Sequence, residues 1–282
     1  MQLHEILCPE RSTAVVDVGA AYIDTLPPYH ALQEAGLCTV IGFEPQTELW
    51  PPQTPNNVTF PDVIGDGKRV TLNIWNAPGM TGVFEPNKVF LQATDPTSAG
   101  GTSWGEILKK IEMPTRRLDD IEQIEVIDFL KIDAQGSELA VLKGAAQKLS
   151  NAVCVQAEMC FVPLYIGQPL FRDIDVLLAK FGFVFHSFAE VHARTILPLM
   201  GRHGMMHQII HADSVYVRDF SRINLIPSEQ LKHMATIAAY CYQSVHLAYR
   251  CVDELVRRGC VSKAAVSECF FPKSEQGWWT EK

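Results

Sequence analysis

The chain's eight cysteines, at positions 8, 38, 154, 160, 241, 251, 260 and 269, include no C-x-x-C pair. That spacing argues against a zinc cluster, and thiols so scattered read as reduced, which makes the cytoplasm the expected compartment. No run approaches the roughly 20 apolar residues that cross a bilayer, so no membrane partner is expected. The opening residues, MQLHEILCPERS, have no basic stretch leading into an apolar one, so no secretory signal is expected. Basic residues are also in deficit, 24 Lys and Arg against 32 Asp and Glu, for a net charge of −8. Polyanions such as DNA and RNA are held by clustered Lys and Arg, so a nucleic-acid partner is not expected. No G-x-G-x-x-G follows the first apolar strand, which removes the usual seat of a dinucleotide pyrophosphate. What remains is a 282-residue chain with 47% hydrophobic residues, enough for one large core with an appendage.

The most informative stretch is VIDFLKIDAQGSELAVLKGAA, residues 126–146. Its first part is short and apolar, as a strand buried on both faces of a parallel sheet would be. Asp133 closes that strand and Gly136 permits a tight turn. Ser137 and Glu138 can then offer oxygens to the unpaired N–H groups of a helix start. Leu139, Leu142, Ala145, Ala146 and Leu149 recur at helical spacing. In open α/β sheets, ligands bind at the carboxyl ends of the strands, which is where Asp133 and Gln135 would lie.

These residues, LKIDAQGSELAVLKGA, resemble the signature of the FkbM-type methyltransferases. The resemblance implies a Rossmann-like fold and S-adenosylmethionine as cofactor. That family often has an acid where this chain has Gln135, although Gln also occurs there. A second match is the strand AVVDV with its loop, where the acid and small residues Asp17, Gly19 and Ala20 resemble the motif that holds the methionine part of the cofactor. Ile23 and Asp24 stand where a typical loop has a further Gly, and Pro27-Pro28-Tyr29 delays the helix. Glu44 closes the second strand, TVIGF, somewhat beyond the spacing of about 20 residues between a glycine loop and its ribose-binding acid. A carboxylate there can accept from both ribose hydroxyls. After the third strand, 57–60, Asp62 is a candidate acceptor for the adenine amino group, with Val63 packing on the ring. Leu118 and its acids match a TLDD-like segment and read as structural. Glu158, closing a strand expected over 152–157, precedes Pro163-Leu164-Tyr165, an E…PLY pattern also found in the family.

Asp133 and Glu158 then end neighbouring strands. Two converging carboxylates can supply a general base, bind a divalent cation, hold the cofactor's ammonium group or cap helices. No metal is assigned. Residues 70–75 alternate like a hairpin strand, and 78–105 read as a substrate-side loop. Strands over 183–188 and 207–217, the latter reversed after a turn at 201–204, complete the sheet, with His186, His192, His203, His207 and His211 in or beside them as candidate bases. From Ser228 to Arg258 the pattern predicts one long helix whose single apolar stripe either wraps onto the sheet or pairs with a second subunit, the latter slightly favoured. Trp278 and Trp279 mark a terminal tail.

The expected architecture is therefore an α/β, class I methyltransferase-like sheet, mostly parallel with its last strand antiparallel, over residues 1–222. A helical extension over 223–282 follows as a possible homodimer element. The implied activity is S-adenosylmethionine-dependent O-methylation of a small molecule, with Asp133 and Glu158 as the candidate catalytic pair. Two other classes stay open: a nicotinamide-dependent oxidoreductase, opposed by the missing glycine motif, and a non-catalytic binding protein, kept open by the irregular loop at Ile23 and Asp24.

Overall fold

A computed structural model describes residues 2–23, 26–94, 106–198 and 207–270. Among these the chain runs α1 (Leu3–Leu7), β1 (Thr13–Val18), α2 (His30–Glu34), β2 (Cys38–Phe43), β3 (Asn57–Phe60), β4 (Arg69–Trp75), α3 (Lys88–Thr94), β5 (Ile107–Pro114), β6 (Phe129–Ile132), α4 (Glu138–Lys143), β7 (Cys154–Cys160), α5 (Phe171–Lys180), β8 (Phe183–Arg194), β9 (Gln208–Arg218), α6 (Ser228–Tyr240), α7 (Val245–Arg257) and α8 (Lys263–Phe270). Asp24, the segment 95–105, the turn at 201–204 with His203, and both tail tryptophans lie outside the described residues. None of the described helices is long and apolar enough to cross a membrane.

Seven strands form one sheet in the order β3-β2-β1-β6-β7-β9-β8. Strands β1, β2, β3, β6 and β7 run parallel. Strand β9 runs antiparallel between β7 and β8. The short apolar strands form the sheet's centre because helices cover both of their faces. On one face Val15, Phe129, Cys154 and Val217 pack with residues of α1, α2, α6, α7 and α8. On the other, Val16, Leu130 and Val155 pack with α4, α5 and the segment from Leu118 to Ile127. A smaller apolar group of Trp75, Leu91, Leu164, Tyr165 and Ile210 lies beside the end of β7.

Three local expectations are corrected. The long helix predicted over 228–258 is two helices, α6 and α7, broken by a turn in which Gln243 takes a φ of 51°. Ser244 N donates back to Ala238 O across that turn. The apolar stripe keeps its phase across the break but folds inward, so Leu231, Met234, Ala248, Val252 and Leu255 are buried in the same core as Phe129 and Cys154. Burial of each such Leu, Met or Val side chain is worth about 1.5–3 kcal/mol. The stripe therefore wraps onto the sheet and does not present these residues to a second subunit. Secondly, β4 bridges locally only at Asn73 and Gly82, and its main antiparallel partner comes later in the chain. That partner is β5, which follows α3 in the chain, and β5 escapes sequence reading because most of its side chains face solvent. Thirdly, β7 runs on to Cys160 because β9 pairs with it as far as His211, so Glu158 lies inside the strand.

Candidate active site

From β1 the chain winds to β2 and β3 on one side and to β6 and β7 on the other. Strand order reverses at β1, which opens a crevice at the carboxyl ends. A cavity of about 500 Å³ lies there. Asp17, Gly19, Ala20, Glu44, Asp133 and Gln135, all anticipated from sequence, line it together. Glu158 stands behind Gln135 and reaches the lining through it. Asp62 and Val63 lie outside the lining: Asp62 Oδ2 accepts from Arg116 Nη1 at 3.1 Å, and Val63 O accepts from Arg116 N at 2.9 Å.

The register of β1 with β6 sets Asp17 beside Lys131. Lys131 Nζ lies 3.2 Å from Asp17 Oδ1 and donates to Gly19 O at 3.1 Å. Tyr29 donates to Asp17 Oδ2 at 2.7 Å. Burial pushes the Asp17 carboxyl up, against the opposing pull of Lys131 and Tyr29. Burial works to lower the Lys131 ammonium, but Asp17 and Asp133 outweigh it and hold the group charged. The lysine thus joins Asp17 at the floor of the cavity to the loop that follows it.

Gly19 takes a φ of 81°, and a Cβ there would stand 1.8 Å from Asp133 O. Only glycine lets the loop after β1 pass this close to the turn after β6. Glu44 accepts from Gln46 N at 2.7 Å, and burial pushes its carboxyl up to about 7. The turn after β6 is held by Glu138, whose Oε1 accepts from Ala134 N and Gly136 N, each at 3.1 Å. Ser137, the other expected cap, makes no side-chain capping bond. Inside this turn Gln135 takes a φ of 47°, a left-handed conformation uncommon for a side chain of its size.

That conformation sends the Gln135 amide across the end of the sheet. Its Nε2 donates to Asp133 Oδ1 at 2.9 Å and to Glu158 Oε2 at 3.2 Å. Its Oε1 accepts from the Tyr165 hydroxyl. Asp133, Gln135 and Glu158 therefore form one connected acidic group. Burial raises the Glu158 carboxyl, and Asp133 adds to the effect.

Several lining residues escaped sequence reasoning. Lys131 carried a signal, since a lysine within a strand covered on both faces must find a carboxylate on a neighbouring strand. Tyr29, Gln156, Asp213 and Tyr242 carried none, because they meet only through cross-sheet register and the α6–α7 turn. The Tyr242 hydroxyl donates to Gln156 Oε1 at 2.8 Å, and Gln156 Nε2 donates to Asp213 Oδ2 at 3.0 Å. The helical extension thereby supplies part of the cavity wall. Among the described residues no group of three or more His, Cys, Asp or Glu is placed to hold a metal ion.

A mostly parallel sheet with its last strand reversed, and acidic and glycine-bearing turns grouped at its carboxyl ends, defines a Rossmann-like fold of the class I methyltransferase type. Residues 17–185, more than half of the chain, match the methyltransferase FkbM domain, and the chain belongs to that family. Among solved structures it is similar to a methyltransferase FkbM from Methylobacillus flagellatus KT, with 15% identity over 73% of this chain and 43% of that one, at a TM-score of 0.36. It is also similar to the magnesium protoporphyrin IX methyltransferase of Synechocystis PCC 6803, solved with bound SAM, with 13% identity over 74% of this chain and 71% of that one, at a TM-score of 0.33. The chain thus spans less than half of the first of these. A comparison with curated proteins finds no match.

Proposed function

We propose that the protein transfers a methyl group from S-adenosylmethionine to a hydroxyl of a small molecule. The observation that carries this reading is the meeting of Asp17, Glu44 and Asp133 on one cavity wall, with the backbone at Gly19 drawn in beside them. The donor set suits the ligand. The carboxylates of Asp17, Glu44, Asp133, Glu190 and Asp213 stand in a lining whose one lysine is already paired with Asp17. Such a wall favours a ligand that carries positive charge and a vicinal diol.

In this reading the Asp17–Lys131 pair and the loop at Gly19 and Ala20 receive the amino-acid end of the cofactor. The Glu44 carboxylate accepts from the ribose hydroxyls. Asp62 and Val63, outside the lining, leave the adenine side to Gln46, Pro51, Pro78 and Gly79. When bound, the cofactor supplies an electrophilic methyl group on a sulfonium sulfur. The protein's part is to hold an acceptor oxygen in line with the carbon–sulfur bond at about 3–3.5 Å, and to have its hydroxyl proton taken up beside the Asp133–Gln135–Glu158 group.

Calorimetric titration with S-adenosylhomocysteine and, separately, with NADH tests the reading. Saturable binding of the first, lost in Glu44→Ala, is expected. Preference for NADH would replace methyl transfer by oxidoreduction, and binding of neither would leave a fold without this cofactor.

A further inference from the structure

The acidic group does not end at Glu158. Glu158 Oε2 receives Gln135, and Glu158 Oε1 lies 2.9 Å from His211 Nδ1. This is ion-pair distance, with Nδ1 off the line of a well-aligned hydrogen bond. His211 comes from β9, the antiparallel strand, where it stands opposite Cys160 of β7 and His192 of β8. Its ring stacks on that of His192, with centroids 4.4 Å apart and planes 15° from parallel. His192 Nε2 in turn lies 3.2 Å from Glu190 Oε1. Glu190 lines the cavity, as does Asp213, the next residue of β9 on His211's face of the sheet. Glu190 and Asp213 are cross-strand partners of one another, so His211, itself outside the lining, stands next to the cavity's edge, one step further along the strands. Its side chain keeps 22% of its surface exposed. Among the described residues nothing bonds to its Nε2.

We propose that His211 takes up the proton of the acceptor hydroxyl, and that Glu158 is the positioning residue that orients it. The proposal rests on the methyl-transfer reading above and refines it. With Nδ1 turned to Glu158, the neutral ring carries its proton there and leaves the Nε2 lone pair free. As the acceptor oxygen forms its bond to the methyl carbon, the carbon–sulfur bond of the sulfonium donor breaks and sulfur keeps the electron pair. The hydroxyl proton passes to Nε2, and the imidazolium is stabilised by Glu158. The proton then leaves to solvent through the exposed edge of the ring.

Most of the groups around His211 favour this. Those that do so are Glu158 from β7, Asp213 from its own strand and Asp133 from the turn after β6; from β8 the neighbour is the stacked His192 ring, with Glu190 paired to it. Burial alone would lower the imidazole's titration, but the Glu158 contact and the surrounding carboxylates outweigh it and raise it above its ordinary 6.5. A base of that strength is matched to neutral pH.

The test is long-range proton–nitrogen NMR on ¹⁵N-labelled protein saturated with S-adenosylhomocysteine, with His211→Gln used to assign the signal. The neutral ring is expected to carry its proton on Nδ1. Its titration midpoint is expected above 6.5, falling by about one pH unit or more in Glu158→Gln. A proton on Nε2 of the neutral ring, or a midpoint unmoved in Glu158→Gln, overturns the role of His211. The tautomer is read on the unaltered protein and needs no variant to fold. Calorimetry done first separates the two readings: failure to take up S-adenosylhomocysteine refutes methyl transfer itself, whereas normal uptake with the wrong tautomer refutes only the base.

Discussion

Glu44 offers a test in which function and stability pull in opposite directions. Burial pushes its carboxyl from an ordinary 4.5 up to about 7. Because the folded value lies above the unfolded one, its contribution to stability is full below about 4.5 and is lost as pH rises through about 7. At pH 8 the buried carboxylate costs the empty protein about 3 kcal/mol relative to the unfolded chain, and at pH 5 about 1 kcal/mol. Glu44→Gln keeps an oxygen for Gln46 N and removes the charge. The variant should therefore unfold at higher denaturant than the parent at pH 8, by about 1–3 kcal/mol, with most of the advantage gone at pH 5. Binding should move the other way. If the ribose hydroxyls need the carboxylate, affinity for S-adenosylhomocysteine in the parent falls about tenfold from pH 8 to pH 6, as the side chain takes up its proton. In Glu44→Gln affinity is lower at pH 8, by about 10- to 100-fold for the lost charge-assisted hydrogen bonds, and flatter with pH. Asp17 and Glu158 are also raised, so the informative quantity is the difference between parent and variant. Urea unfolding and calorimetry at three pH values measure both effects. A stability difference that does not change with pH, or unchanged affinity in the variant, would refute the reasoning.

Three further outcomes follow from the geometry. Gly19→Ala combines a positive φ with a Cβ 1.8 Å from Asp133 O, so thermal unfolding should show a loss of more than about 3 kcal/mol. Gly36→Ala, with similar φ and open space around it, should lose only about 1–2 kcal/mol, and equal losses would deny the close approach. Asp133→Asn should keep its melting temperature within a few degrees while binding S-adenosylmethionine about tenfold more weakly; unaltered binding would reduce Asp133 to a turn residue. A chain ending at Pro227 should lack a cooperative melting transition, because it uncovers the face that α6 and α7 bury; cooperative melting of that fragment would show the sheet stands alone.

The centre of the fold was legible because its strands are buried on both faces, which forces short apolar runs, and because each run ends in an acid or a glycine. Asp17, Glu44 and Asp133 could be found in that way, one strand end at a time. What could not be found depends on how separate segments are set against each other. The apolar stripe continues in helical phase through Cys241, so nothing in its periodicity marked the break at Gln243. Strand β5 is mostly solvent-facing and carries no clear alternation. Lys131 and His211 gain their importance from the residues opposite them on neighbouring strands, Asp17 and, through Cys160 and its strand, Glu158. Asp62 illustrates the converse. Its position after a strand fits a ligand-facing acid, but a nearby guanidinium engages it outside the cavity.

The turn between α6 and α7 contributes Cys241 and Tyr242 to the cavity wall, while the two helices on either side of it insulate the sheet. Ligand occupancy and anchoring of this helical pair are thus one linked equilibrium. A molecule that fills the cavity at a hundred times its dissociation constant should slow amide exchange in both helices by up to about a hundredfold, wherever exchange requires them to lift away.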